Sequence, residues 1–283
     1  MQQKEPVRIA FLGGGNMARA LIAGLIRQAM PARHISVGEP NRQARTGLHS
    51  QWGVEVYEDN VEAVRDADLV VLAVKPQHAA EVLRGLRTTL QQSRPVLLSI
   101  AAGLRIDDLH DACSAEIAIV RAMPNRPALL GAGMTGLYAM PGVTAAQREL
   151  AERVGKAAGH AVWLRSESQL DIVTALSGSG PAYFFLLAEA MARAAEQLGL
   201  TRETALLLAS GTLYGSGMLV KENADLAQQR AAVTSKGGTT EAALRVLEQG
   251  GLTQLIAEAM RAGTARSAEL ASLLSNQLPS EPH

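Results

Sequence analysis

The sequence has very little cysteine, few aromatic side chains and no excess of charge of either sign. Its single cysteine, Cys113, excludes an intrachain disulfide and a metal cluster held by several thiolates, and we expect no metal site. Aromatic residues make up only 3% of the chain, so the cores must be built from Ala, Leu, Val and Ile. The 27 basic and 27 acidic residues cancel, and no basic stripe stands out, which argues against nucleic acid as a partner.

Long apolar runs are also missing, and we expect no secretory leader. The longest uninterrupted apolar runs, such as 69–74 and 184–188, are far shorter than the ~20 residues that a membrane span needs. The first 16 residues lead almost directly into a strand-like segment, without the apolar core and cleavage site of a signal peptide. Together with the lone cysteine, these features predict a cytoplasmic protein with no membrane partner.

The first half of the chain alternates strand-like and helix-like segments. Seven short apolar runs predict strands, at 7–12, 35–38, 54–56, 68–74, 96–100, 117–121 and 160–164. Apolar residues recur at helical spacing in 17–28 and 144–158. Since 68–74 is apolar at every position after its first, we expect a strand covered on both faces, as in parallel sheets. The pattern predicts an α/β domain over 1–165 with a doubly wound parallel sheet.

From about residue 166 the strand-like runs disappear, and Ala, Leu, Glu and Arg recur at helical spacing. Candidate helices lie at 167–175, 181–198, 201–220, 239–249 and 253–274. We expect an all-helical domain over 166–276, followed by a disordered tail, 277–283. One helix holds the interior glycines Gly211, Gly215 and Gly217, each of which costs roughly 1 kcal/mol relative to Ala. Such glycines allow a second helix to approach closely, either within the chain or in another subunit.

A glycine-rich turn follows the first predicted strand and opens a helix. Gly13, Gly15 and Ala18 fit the pattern G-x-G-x-x-[GA], in which the first glycine makes the tight turn and the second admits a pyrophosphate. Asn16 and Met17 begin the helix, whose free N–H groups and positive dipole end suit phosphate oxygens. The strand–turn–helix context predicts a dinucleotide-binding Rossmann domain, with Gly13, Gly15, Asn16 and Met17 at the cofactor.

The end of the second strand bears on the choice between NAD and NADP. Glu39 stands where an acidic residue accepts hydrogen bonds from the adenosine ribose 2′-hydroxyl of NAD. Asn41 and Arg42 follow at once, and an arginine there can neutralise the 2′-phosphate of NADP; Arg45 is a weaker candidate. Arg42 as a solvated surface charge is the alternative. We favour NADP(H), and NAD(H) stays open.

Further candidate residues end three later strands. Ligands of open α/β sheets bind beyond the carboxyl ends of the strands. Lys75, followed by Pro76, lies at such an end and suits the nicotinamide ribose or a phosphate. The small residues around Ala101 leave room for a flat ring, and Asn125 suits the carboxamide or the substrate.

The helical half contains two segments rich in glycine and hydroxyl groups, one over 176–181 and the other over 233–240. The second places consecutive backbone N–H groups at a helix start, which suits a small carboxylate. An ordinary turn with Thr239 or Thr240 as the helix N-cap is the structural alternative, and the two interpretations are compatible.

Together these motifs closely resemble pyrroline-5-carboxylate reductase. The resemblance runs from FLGGGNMARALIAGL through AVKPQ, SIAAG and IVRAMPN to TALSGSGPAYFF and VTSKGGTTEAALRVLE, and so covers nearly the whole chain. It implies NAD(P)H-dependent reduction of 1-pyrroline-5-carboxylate to L-proline. It also implies a Rossmann domain followed by a helical dimerisation domain, with homodimers that often assemble further into decamers.

The same resemblance implies roles for individual residues. The substrate carboxylate would bind the backbone amides of Gly238, Thr239 and Thr240, with Ser235 in the same loop, and the Thr240 hydroxyl would bond the ring nitrogen. The cofactor-side positions of the family match Asn60, Ala73, Lys75, Pro76 and Asn125. The chain departs from the family pattern at Lys236, at Arg126 and within 223–226, where a His-Pro-Gly is usual.

Two other functions share parts of this pattern. A β-hydroxyacid dehydrogenase has the same two-domain plan but needs a proton donor, commonly a lysine, and the helical half offers only Lys221 and Lys236. A regulator that binds NAD(P) without turnover has no need of the glycine-threonine loop. A protonated cyclic imine is already activated for hydride, which agrees with the near absence of histidine from the helical half.

Overall fold

The computed structural model describes residues 7–114 and 116–277. Of the predicted disordered tail, 277–283, only Gln277 is described, and it is the last residue of a helix; the rest lies outside the described residues. The chain divides into two compact units. The first comprises the residues up to Gly178 together with those from Gly263 onward, and the second is Ser179–Ala262. The first unit extends past the predicted boundary at residue 165, because it includes the short helix Gln169–Val173, which packs on the sheet, the turn to Gly178 and the segment from Gly263.

The first unit is built on one eight-stranded sheet. Its strands are β1 (Ile9–Leu12), β2 (Ile35–Gly38), β3 (Glu55–Tyr57), β4 (Leu69–Leu72), β5 (Val96–Ser99), β6 (Ala118–Met123), β7 (Gly133–Ala139) and β8 (Gly159–Trp163). Their order in the sheet is β3-β2-β1-β4-β5-β6-β7-β8. The reversal of strand order beside β1 places a crevice beyond the carboxyl ends of β1 and β4, where doubly wound sheets bind ligands.

The last two strands run in the opposite direction to the other six. Strand β7, which was not predicted, runs antiparallel to β6, and β8 runs parallel to β7. Only residues 124–132 connect β6 to β7, and a parallel crossover needs a dozen or more residues. The sheet is therefore parallel from β3 to β6, as predicted for a doubly wound sheet, and mixed beyond.

Helices cover both faces of this sheet. They are α1 (Asn16–Arg27), α2 (Arg42–Trp52), α3 (Asn60–Val64), α4 (Pro76–Gly85), α5 (Arg87–Ser93), α6 (Ile106–Cys113), α7 (Ala145–Lys156) and α8 (Gln169–Val173). A π-helical turn, Thr174–Gly178, follows α8. On β1, Ile9 and Phe11 belong to the core shared with α1 and α7, whereas Ala10 and Leu12 belong to the core under α4 and α6. The two cores explain why the central strands are apolar at successive positions.

The second unit is entirely helical in its described part. It contains α9 (Gly180–Gln197), α10 (Arg202–Glu222), α11 (Leu226–Ala232), α12 (Thr239–Gln249) and the first part of α13 (Leu252–Gln277). Thr201 caps α10, since its hydroxyl oxygen accepts the Thr204 N–H at 3.3 Å, as its position before the helix predicts. Helix α11 was not predicted.

The second unit has a very small core of its own. Its fully buried side chains form one cluster of alanines, Ala192, Ala205 and Ala209, between α9 and α10. Many large apolar residues of the same helices are exposed, for example Phe185 at 62% and Leu207 at 71%. Such a surface is typical of a face that another chain covers.

One helical stretch, Gln169–Gln197, is long and apolar enough by length and composition to cross a membrane. This finding qualifies the prediction from apolar runs, because charged residues are sparse over 29 positions although no uninterrupted run is long.

Candidate active site

The glycine-rich turn between β1 and α1 has the backbone conformation that its sequence predicts. Gly13 has a φ of +96°, which only glycine adopts readily, and its N–H donates to the Gly38 carbonyl at 2.8 Å. A Cβ atom at Gly13 would lie 3.1 Å from the Ala73 carbonyl oxygen. The turn thus joins the ends of β1, β2 and β4 at one edge of the sheet.

The start of α1 is open to an anion. A Cβ atom at Gly15 would meet nothing within 4 Å, and the first turn of α1 contains no acidic side chain. Asn16 is exposed and Met17 half-buried. The first backbone N–H groups of a helix have no partner within the helix, so this end fits the pyrophosphate of a dinucleotide.

The side chains at the end of β2 are held by hydrogen bonds. One Glu39 carboxylate oxygen accepts the Gly14 N–H at 3.0 Å, and the other accepts the Asn41 N–H at 2.9 Å. Asn41 caps α2, because its Oδ1 accepts the Ala44 N–H at 2.9 Å. Arg42 is exposed in the first turn of α2. The acidic and basic candidates of the sequence therefore lie side by side at this corner.

Arg45 has a structural role that the sequence did not indicate. Its guanidinium donates to the backbone carbonyls of Glu39 and Pro40 at 2.7 and 2.8 Å, and it pairs with Glu58 at 2.6 Å. Because these three contacts hold its side chain against the β2–α2 connection, Arg45 is a poorer candidate than Arg42 for a phosphate.

Asn60 lies beside the end of β2, as its predicted place near the cofactor requires. A Cβ atom at Gly38 would lie only 2.2 Å from Asn60 Oδ1, so glycine is the residue that allows this approach. Asn60 is the first residue of α3, which is capped by Asp59.

The predicted residues at the ends of β4 and β5 lie at the same edge. Ala73 donates its N–H to the Leu12 carbonyl at 2.9 Å. Lys75 is exposed immediately before α4, and Pro76 is the first residue of that helix. Ala101 is buried, and its N–H lies 3.4 Å from Ser99 Oγ. Ala73 and Ala101 are 28 positions apart in the sequence, but the ends of neighbouring parallel strands lie at the same edge of the sheet.

Asn125 is buried and already hydrogen-bonded within the protein. Its Nδ2 donates to the Ser177 carbonyl at 3.0 Å, and its Oδ1 accepts the Met134 N–H at 2.8 Å. These bonds join the end of β6 to the π-helical turn and to β7. Asn125 therefore has one Nδ2 hydrogen and one Oδ1 lone pair left for a contact with the nicotinamide carboxamide or with the substrate.

A partly buried ion pair near this edge was not predicted from the sequence. Arg121 on β6 pairs with Glu167 at 2.6 Å, and the same carboxylate oxygen accepts the Ile106 N–H at 2.7 Å. Arg121 and Glu167 are 46 positions apart, so no local pattern connects them. The pair fixes the start of α6, just after the connection that contains Ala101.

The glycine-threonine loop forms a tight turn before α12. The Gly238 N–H donates to the Ser235 carbonyl at 3.0 Å, and the Gly237 N–H donates to the Glu241 carboxylate at 2.7 Å. Gly237 has a φ of +73°, and a Cβ atom at Gly238 would lie 2.4 Å from Ser235 Oγ. The sequence Gly-Gly is thus required by the shape of the turn.

The helix start after this turn is available to a ligand. Gly238 is the N-cap of α12 and supplies no side-chain acceptor, so the N–H groups of Thr239 and Thr240 lack a capping group. Thr239 is exposed and Thr240 half-buried. Neither threonine is the N-cap, which removes the predicted alternative of a threonine-capped turn.

Other described groups of the chain do not form a competing site. Among residues 7–114 and 116–277, no group of three or more His, Cys, Asp and Glu side chains is arranged to hold a metal ion. A cavity of about 780 Å³ opens beside α7 at Val7, Asp68 and Val96, which lie at the amino ends of β1, β4 and β5. It is therefore at the opposite edge of the sheet from the phosphate-binding turn.

Two family models match the chain. Residues 8–103 match the model described as NADP oxidoreductase, coenzyme F420-dependent, and residues 167–270 match pyrroline-5-carboxylate reductase dimerisation. The chain therefore joins an NAD(P)-dependent oxidoreductase domain to a dimerisation region. The predicted fold is confirmed, and the protein is a homo-oligomer.

Relatives and solved structures agree with these matches over nearly the whole chain. Pyrroline-5-carboxylate reductase of Pseudomonas aeruginosa is 46% identical over 268 residues, which cover 94% of this chain and 98% of the relative. The solved reductase of Coxiella burnetii is 41% identical with a TM-score of 0.91, covering 94% of this chain and 99% of that one. The Plasmodium falciparum enzyme, solved with NADP bound, is 29% identical with a TM-score of 0.78, covering 95% and 100%. The resemblance drawn from the motifs is confirmed: this chain belongs to the pyrroline-5-carboxylate reductase family.

Proposed function

We propose that this protein reduces 1-pyrroline-5-carboxylate to L-proline, the last step of proline biosynthesis (EC 1.5.1.2), with NADPH as its preferred reductant and NADH as a usable one. The observation that carries the proposal is the Ser235–Thr240 loop, a glycine turn that opens α12 with uncapped amides in a member of this family. We place the reaction in the cytoplasm and the active protein as a homodimer that can assemble further into a decamer.

The substrate carboxylate is assigned to the start of α12. The N–H groups of Thr239 and Thr240 are uncapped and lie at the positive end of the helix dipole, which favours an anion. Gly238 already donates its N–H to Ser235, so its predicted contact with the carboxylate requires that bond to be shared. Ser235 is exposed in the same turn and supplies a hydroxyl.

Thr240 is assigned the contact with the ring nitrogen. A protonated cyclic imine needs orientation and a hydrogen-bond acceptor at its N–H, which a hydroxyl oxygen provides, and it needs no strong general acid. Thr240 is half-buried, whereas its neighbour Thr239 is exposed. Bound NADPH supplies the hydride, and the residues of the chain supply binding and orientation.

The cofactor is assigned to the carboxyl edge of the sheet. Gly13, Gly15, Asn16 and Met17 would hold the pyrophosphate, and Asn41 and Arg42 would surround the adenosine ribose. The cofactor-side positions further along this edge are Asn60, Ala73, Lys75, Pro76, Ala101 and Asn125. The preference for NADPH rests on Arg42, an exposed cation in the first turn of α2 beside the end of β2.

The proposal is tested by following the consumption of NADPH by absorbance. The protein is supplied either with 1-pyrroline-5-carboxylate or, as alternative substrates, with small 2-keto and semialdehyde acids. We expect rapid oxidation only with the pyrroline substrate. A comparable rate with the open-chain carbonyl acids would favour a hydroxyacid dehydrogenase. Tight binding of NADPH without pyrroline-dependent oxidation would indicate a regulator, and either outcome would contradict the proposal.

A further inference from the structure

The middle residue of the glycine-rich turn is held by two charged side chains. The nucleotide-binding pattern assigns no role to Gly14, which is buried. Its N–H donates to Glu39 Oε2 at 3.0 Å, and its carbonyl oxygen accepts the Arg19 Nε hydrogen at 2.9 Å. A carboxylate thus binds one end of this residue's backbone and a guanidinium binds the other. Charge-assisted hydrogen bonds of this kind are stronger than neutral ones.

Both of these side chains are fixed by further contacts. The second oxygen of Glu39 accepts the Asn41 N–H at 2.9 Å, so the carboxylate also joins the turn to the start of α2. Arg19 Nη2 donates to the Ala44 carbonyl at 3.3 Å, and the guanidinium lies 5.8 Å from the centre of the Trp52 ring. Glu39 and Arg19 therefore connect the turn to the same helix, α2, from two sides.

Buried backbone groups need hydrogen-bond partners, and the side chains of Glu39 and Arg19 provide them for Gly14. The turn also has little room to move. A Cβ atom at Gly14 would lie 2.5 Å from Leu48 Cδ1, which shows how closely the backbone approaches the core. Loss of either side chain would leave a buried peptide group unpaired and release the turn on that side.

We infer that Glu39 and Arg19 are positioning residues that fix the phosphate-binding turn through Gly14, and that Glu39 is not the ligand that selects the adenosine ribose. The inference rests on the proposed cofactor site. It assigns the acidic residue at the end of β2 to the shape of the turn and leaves discrimination at the 2′ position to Arg42. Both cofactors share the pyrophosphate, so the turn acts equally on NADPH and NADH.

The two roles for Glu39 predict different results for Glu39→Ala. A ribose ligand would stabilise NADH alone and would repel the 2′-phosphate of NADPH, so its removal would weaken NADH and strengthen NADPH. A positioning residue would weaken both cofactors by the same factor. For Arg19, a positioning role likewise predicts equal losses, whereas direct binding of the 2′-phosphate would make the loss specific to NADPH.

The experiment measures the Kd of NADPH and of NADH by titration calorimetry for the full-length protein and its variants. We expect Glu39→Ala and Arg19→Ala each to raise both Kd values about tenfold, with the ratio of the two changed by less than about twofold. Glu39→Gln, which keeps an acceptor for one of the two N–H groups, should recover part of the affinity. Glu58→Ala is the acidic control at the same corner, and Arg27→Ala, exposed in the last turn of α1, is the basic control. Arg42→Ala, by contrast, should weaken NADPH alone.

Hydrogen–deuterium exchange of peptides spanning 13–18 in the cofactor-free protein tests the turn directly. Faster exchange in both alanine variants, with no change in Glu58→Ala, would support the inference. A loss confined to one cofactor, or unchanged exchange, would overturn it. If the unmodified protein bound neither cofactor, the proposed function would fail, and the exchange data would still decide the role of Glu39 and Arg19. A variant that does not fold is replaced by Glu39→Gln or Arg19→Lys in the same measurements.

Discussion

At the scale of single residues, the chemistry assigned to this protein depends on one hydroxyl group. Thr240→Ala should lower kcat about tenfold to a hundredfold, because one hydrogen bond to a charged group is lost. The Kd of NADPH should not change, since the assigned contact is with the substrate. Steady-state kinetics and cofactor titration measure the two quantities. Thr239→Ala, at the exposed neighbouring position, is the control for the side chain, and Thr240→Ser should retain most of the activity.

At the same scale, the proposed preference for NADPH is assigned to Arg42. Arg42→Ala should raise the Kd of NADPH about tenfold, because an arginine–phosphate contact is lost, and should change the Kd of NADH by less than about twofold. Gln43→Ala, at the adjacent exposed position, is the control. Equal effects on the two cofactors would make Arg42 a solvated surface charge.

Cys113 gives a probe of folding rather than of catalysis. Burial raises the pKa of its thiol to about 12, and the nucleophile in alkylation is the thiolate. Iodoacetamide should therefore label the native protein very slowly at pH 8, and labelling should accelerate in step with unfolding by urea. Mass spectrometry measures the labelled fraction. Rapid labelling before any loss of helical signal would contradict the burial of this residue.

The residues that could be predicted from the sequence are those whose chemistry is local. Gly13 and Gly15 were assigned correctly to a strand–turn–helix junction because a turn and a helix start are encoded within a few positions. The contacts of Gly14 with Glu39 and Arg19 could not be predicted, since they depend on how α1, α2 and β2 meet in space. The Arg121–Glu167 pair is hidden for the same reason.

At the scale of elements, the strands buried on both faces were the easiest to predict. β1 and β4 are apolar at every position, and β5 is apolar at every position but its last. β7 was missed, because its sequence GMTGLYA contains two glycines and shows neither a continuous nor an alternating apolar pattern. The short helix α11 was missed as well. Its sequence LAQQRAA presents no apolar face, so nothing distinguished it from a loop.

Gly211 and Gly215 are four positions apart on one face of α10. Among the described residues, a Cβ atom at Gly211 or Gly215 would meet nothing within 4 Å, which does not support a close intrachain contact there, and we predict that a second subunit covers this face. Gly215→Leu should convert the oligomer to smaller species, because a bulky side chain blocks close approach. Sedimentation velocity measures the change in mass.

The control for this substitution is Arg202→Leu, which lies on the other side of α10 by the 3.6-residue repeat and is exposed. It should leave the mass unchanged. NADPH binding should persist in Gly215→Leu, because the phosphate-binding turn belongs to the other unit. An unaltered oligomer in Gly215→Leu would show that this face is not an interface.

At the scale of the whole molecule, the two units differ in the size of their cores and in how much apolar surface they expose. The first contains two large apolar cores, one on each face of a sheet, and includes the residues proposed to bind the cofactor. The second buries three alanines in its core and exposes long apolar side chains along α9 and α10. The apolar stretch Gln169–Gln197 includes much of this surface, and the dimerisation region of the family accounts for it. The size of the oligomer depends on such surfaces, which a single sequence does not resolve.

The proposed reduction of 1-pyrroline-5-carboxylate is tested most directly by labelling the transferred hydride with deuterium. The purified protein is supplied with 1-pyrroline-5-carboxylate and with NADPH that carries deuterium at the transferable position of its nicotinamide ring. We expect L-proline that contains one deuterium, bonded to the ring carbon next to nitrogen that was part of the C=N bond, and mass spectrometry with NMR identifies it. Proline without deuterium, or no proline while NADPH is bound, would contradict the proposed reaction.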